Sequence, residues 1–337
     1  MTVDTAPRVS GKVLAAGVVA AGFVVLLVAL LAAGGAPKPL PAGLQGAGTP
    51  VSWAVPVLRL LADLAAIATG GAVLAAAWLL PQSDGKLAKQ GLRACQDAAV
   101  AAGAWAVAAI GGLLASASVI LGVPMSQLAA RAGDAGGVNQ VRALAVSALL
   151  TAVLAVVLSG ARTVATARIA LVLTAAALTA PLLTGHGAIE RTAFWSVLAT
   201  SSLVIHVFCA TAWIGGLGSL IRYGRDQLPA IEKFSRLAFG CAIAIGLTGL
   251  LTAEIHLGGR EDGLGLITQW VTTGYGALVF AKAVAFTLLV WIGWRHRQST
   301  LPALAANEPG AFWRLAGVEL LVMAGTVGLA VALSRTP

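Results

Sequence analysis

The sequence predicts an all-α membrane protein, a polytopic transmembrane bundle of about nine helices, and three observations predict it. Of 337 residues, 58% are hydrophobic and only 10% charged, whereas soluble domains carry about 25% charged residues. Nine apolar stretches are each long enough to cross or nearly cross ~30 Å of hydrocarbon at ~1.5 Å per residue. The formal charge of +9 comes from basic residues in short segments between those stretches. That is the pattern of cytoplasmic loops rather than of a nucleic-acid-binding face.

The first span, Val13–Ala33, follows a polar N-terminus that ends in Lys12. Its 21 residues exceed the ~7–15 of a signal-peptide core, and Pro37 stands where cleavage would fall. It is read as a helix; a signal peptide would leave eight. The next segment, APKPLPAGLQGAGTP, is too rich in Pro and Gly to be helical. Further spans follow at Trp53–Leu80, Ala94–Leu121, Val141–Ser159, Ile169–Leu183, Val197–Ile221, Ser235–Ala253, Tyr275–Trp294 and Leu315–Ser334. Pro181 marks the end of the fifth. With the N-terminus inside and the C-terminus outside, fourteen basic residues fall in cytoplasmic segments and six in outer ones, as the positive-inside rule requires.

The sixth span carries the chemistry. His206 lies in its middle, Cys209 three residues on and Trp213 four further, offsets that share roughly one helix face. An imidazole at membrane depth needs a partner and is a functional candidate by default. Trp213, Gly215 and Gly216 form a small-residue packing surface on which another helix can approach closely. Counted by helix rise, Cys241 and Met323 come out at nearly the depth of His206 and Cys209, ~14–18 Å below the outer surface. These four could form one soft-ligand layer, or simply fill the core. On the outer face, His186, Glu254, His256 and Met125 could receive a metal, or stand as solvated loop residues. Among charges within spans, Arg59 and Asp63 stand at i, i+4 and can pair. Lys282 and Glu319 are the expected pair across the last two helices.

The motifs HVFCATAWIGGL, FSRLAFGCAIAIGLTGLLTA, TTGYGALVFAKAVAFTLLVWIGWRHR and FWRLAGVELLVMAGTVGLAVAL, in that order, resemble the CopD family of bacterial inner-membrane copper proteins. RLLADLAAIATGG and TGHGA are similar to longer, actinobacterial-type members. The resemblance divides the chain into residues 1–196, with spans one to five, and a CopD-like core, 197–337, with spans six to nine. It implies copper, as Cu(I) or Cu(II), imported across the cytoplasmic membrane, often beside a periplasmic CopC-type copper-binding partner. Cys209 and Cys241 lie outside the family pattern. Some members continue into a CtaG-like domain, so this chain is either a one-domain member or the first part of such a fusion. The alternative is a non-transporting assembly factor that delivers copper to a respiratory oxidase or docks a copper chaperone. No phosphate-binding loop or P-type aspartate motif suggests ATP-driven pumping, and no facing histidine pair suggests haem. No enzyme activity is expected.

Overall fold

A computed structural model describes residues 11–38, 46–184, 193–225, 227–257, 270, 272–300 and 310–336. The helices are α1 (Gly11–Ala32), α2 (Thr49–Leu74), α3 (Lys89–Leu121), the short α4 (Ala132–Gly137), α5 (Asn139–Ser159) and α6 (Val164–Leu182). They continue as α7 (Ala193–Tyr223), α8 (Leu228–Leu257), α9 (Gly274–Arg295) and α10 (Gly310–Leu333). All but α4 are long and apolar enough to cross a membrane, giving nine candidate spans among the described residues. Single π-helical turns extend α2 through Ala75–Leu79 and α9 through His296–Thr300.

Several helices run past the apolar stretch that announced them. α3 begins at Lys89 rather than Ala94, and α8 reaches from Leu228 to Leu257. Hydropathy registers only the part in hydrocarbon, while long basic side chains carry a helix on into the interface. Local chemistry sets the ends. The Thr163 hydroxyl accepts a hydrogen bond from Thr166 N at the start of α6, and the Thr273 hydroxyl from Gly276 N at the start of α9. Gly122 closes α3 at φ 64°, a left-handed position that suits glycine.

At one end of the bundle, strands β1 (Gln82–Ser83) and β2 (Lys86–Leu87) form a small hairpin. Leu87 N donates to Arg162 O and Val164 N to Gly85 O, which joins the α2–α3 and α5–α6 loops. At the same membrane face Asp97 accepts from Arg222 Nε at 2.7 Å and from the Tyr223 hydroxyl, tying α3 to α7.

α2 is the central helix, packed against α3, α6, α7 and α10. The last four helices close a ring in which α7 touches α8, α8 touches α9, α9 touches α10 and α10 touches α7. In a bilayer, lipid tails are as apolar as leucine, so close backbone approach does much of the holding. The α2–α7 crossing meets at Gly71 and Gly215, where a methyl group on Gly215 would sit 2.7 Å from Gly71 Cα. Gly216 makes room for the Phe234 ring of α8, 2.7 Å from where its Cβ would be, and Trp213 is buried beside it. α1 lies along α10, where a Cβ on Gly328 would come within 3.0 Å of Leu26 N.

Gly71→Ala drives a methyl into the Gly215 backbone, a contact no rotamer can relieve. It is expected to cost ~1–3 kcal/mol, as overpacking does, and to lower the melting temperature of the detergent-purified protein. Gly103→Ala, with nothing within 4 Å of the added methyl, serves as the control and should melt at or slightly above wild type. Equal melting of Gly71→Ala and wild type would remove this crossing as a constraint.

Candidate functional site

The site is built where α7 and α8 run antiparallel inside the four-helix ring. His206 is half-buried there, and its Nδ1 lies 2.9 Å from the Thr248 hydroxyl of α8. The direction of that bond follows from counting protons. Thr248 has one hydroxyl hydrogen and directs it at its own helix, 2.7 Å from Ala244 O and 3.3 Å from Ile245 O. Its oxygen is therefore the acceptor and His206 Nδ1 the donor. In the neutral ring this leaves Nε2 with its lone pair, the form in which imidazole ligates a metal.

Polar groups continue along the same interface toward the start of α7 and the end of α8. Ser202, one turn before His206, has its hydroxyl 3.5 Å from Thr248 O, and the Thr252 hydroxyl donates to that carbonyl at 2.8 Å. On α9, Lys282 lies within electrostatic range of His206. Among the described residues Lys282 forms no ion pair or hydrogen bond. Sequence reasoning missed Ser202, Thr248 and Thr252. Their signal was present in the four-residue spacings Ser202–His206 and Thr248–Thr252, but threonine and serine are too common in membrane helices to mark a partner without the pairing of α7 with α8.

Cys209, one turn on from His206 along α7, and Cys241 on α8 are close enough to influence each other electrostatically, and neither is in a disulfide. Met323, on α10, is 1% exposed in the same apolar core. Among the described residues no three His, Cys, Asp or Glu side chains converge on one point. The four expected side chains thus stand as two thiols, an imidazole and a thioether rather than as one cluster of metal-binding groups among the described residues.

The remaining expected residues fall as follows. Met125 is exposed in a 3-10 turn after α3. His186 lies outside the described residues; Glu254 and His256 lie on the last turns of α8, with their side chains outside them. Arg59 and Asp63 pair on α2, with Nε 3.1 Å from Oδ1. The expected pairing of Lys282 with Glu319 is corrected. Glu319 Oε2 lies 3.2 Å from Nε2 of His296 at the inner end of α9, and ~21 Å of helix rise separates His296 from Lys282. Two apolar hollows, one between α2, α6 and α7 and one between α1, α2 and α3, do not touch His206.

Comparison with known proteins bears on the same helices. Residues 228–333 match the family model described as Copper resistance protein D. Inner membrane protein YebZ of Escherichia coli (strain K12) is 26% identical over 115 residues, a match covering 32% of this chain and 37% of the relative. The chain thus spans well under half the length of that curated relative. No solved structure matches.

Thr248→Val keeps the shape of the side chain but removes the acceptor for Nδ1. In 15N spectra of histidine-labelled protein, wild-type His206 is expected to show an Nδ1-protonated neutral ring with Nε2 bare. Thr248→Val should shift the ring toward a tautomer mixture. An unchanged His206 signal would contradict the bond direction derived above.

Proposed function

We propose, from the match of residues 228–333 over α8, α9 and α10 to the family described as Copper resistance protein D, that the chain imports copper, with His206 as the relay in the bundle. The match to a copper resistance family supports copper handling at the membrane, and nine apolar spans among the described residues fit a multi-pass protein of the cytoplasmic membrane. Direction, route and residues are the proposal.

The observation that carries it is the bond from His206 Nδ1 to Thr248, with Nε2 left as a ligand inside the four-helix ring. A copper ion arriving at the outer face is received by His186, Glu254 and His256, with Met125 on the same side. It moves along the interface marked by Thr252, Ser202 and Thr248, and binds Nε2 of His206. Ligand exchange then carries it to the thiols of Cys209 and Cys241 and to the Met323 thioether, soft donors that favour Cu(I). Imidazole accepts either oxidation state, so His206 suits the step between a harder outer environment and a softer interior. Lys282 repels a cation while it keeps its proton, which limits how long copper resides at His206. A periplasmic copper-binding protein of the CopC type is the natural donor at the outer face.

His206→Ala is expected to lower copper accumulation in whole cells by several-fold at equal membrane expression, measured by elemental analysis against an empty-vector strain. Unchanged accumulation at equal expression would remove His206 from the route. A defect confined to copper loading of a respiratory oxidase, with total copper unaltered, would point instead to an assembly role.

A further inference from the structure

The inner end of the four-helix ring holds a second ligand-capable pair that the relay leaves unused. His296 opens the π turn that closes α9, and Glu319 projects from α10, with Nε2 and Oε2 3.2 Å apart. The two residues are 8% and 4% exposed. A carboxylate this deep requires compensation, and the sequence places two arginines beside His296 that could give it. Neither is used for that purpose. Arg295 lies over the Trp291 ring at 5.9 Å, while Arg297 lies over Phe239 at 4.5 Å and donates to Ser235 O at 2.8 Å. A guanidinium neutralises a carboxylate with the stronger, bidentate geometry. Here both point elsewhere, and Glu319 faces His296, a basic side chain that also ligates transition metals. Met323, four residues on from Glu319 and buried, brings a thioether to the same face of α10 one turn outward.

We infer that His296 and Glu319 form a copper site at the inner end of the bundle, the imidazole and carboxylate being its ligands and the cytoplasm the side to which it releases. The direction of release rests on the import reading; the ligand pair does not. The carboxylate offsets the charge of the ion, and the imidazole nitrogen is a donor that both oxidation states accept. Arg295 and Arg297, on either side of His296 in the chain, add positive charge around the exit and favour departure of the cation over its retention.

Copper binding by the full chain purified in detergent tests this, with Cu(I) read by competition against a chromophoric chelator under reducing conditions and Cu(II) by electron paramagnetic resonance. Glu319→Gln keeps the shape and a polar contact with the imidazole, so a merely structural pair would tolerate it. A copper site would not. Glu319→Gln and His296→Gln are each expected to weaken or remove one bound equivalent, by about ten-fold or more in affinity, while His206→Ala leaves that equivalent intact. Should His296→Gln not fold, Glu319→Gln decides alone. Wild-type stoichiometry and affinity in a folded Glu319→Gln variant would overturn the inner site. With His206→Ala still losing its own equivalent, the import reading would then stand. A wild-type protein that binds no copper in either oxidation state would overturn both.

Discussion

The account depends on one hydrogen bond, from Nδ1 of His206 to the hydroxyl oxygen of Thr248. An imidazole in the interior of a membrane helix is costly without a partner, since an unmet buried polar group forfeits ~1–3 kcal/mol. A partner that donated to Nδ1 would take up that lone pair and leave the ring proton on Nε2, so that neither nitrogen could ligate a metal. Thr248 avoids this because its own proton is committed to the carbonyls of Ala244 and Ile245. The bond stabilises the ring, fixes its orientation and exposes Nε2. It also sets the register of α7 against α8, together with the Ser202 hydroxyl, which meets the carbonyl of the same threonine across the two helices.

The rest of the fold serves that interface at a distance. α7 must lie close to α2 on one side and α8 on the other, and the Gly215–Gly216 pair does both, meeting Gly71 across one face and the Phe234 ring across the other. α10 is held from outside the ring by α1 and from inside by α9 and α7. The ligand-capable residues then follow the bundle from outside to inside. Polar hydroxyls come first, then His206, the thiols of Cys209 and Cys241, the Met323 thioether, and the His296–Glu319 pair. No position gathers three donors among the described residues.

Much of this was legible in the sequence, and the limits are physical. The nine spans were readable because a bilayer imposes a length and a composition on any helix that crosses it. Arg59 and Asp63 were readable as a pair because both stand on one helix, where four residues are one turn. Lys282 and Glu319 stand at different heights on neighbouring helices, and Glu319 instead meets His296, which lies beyond the apolar stretch Tyr275–Trp294 and so carried no hydropathy signal. It lies on a π-helical turn that prolongs α9. Thr248 was invisible for a related reason: nothing along one helix tells which residue of its neighbour faces it. The family resemblance marked α7 to α10 as the working part but could not orient a single side chain.

Copper uptake by the purified protein in sealed vesicles tests the central claim most directly. With protein in the bilayer and copper supplied on the outer face, the account predicts time-dependent accumulation of copper in the vesicle interior, abolished or strongly slowed when residue 206 cannot ligate. Copper that binds to the vesicles yet never reaches the interior, with intact protein in the correct orientation, would contradict it.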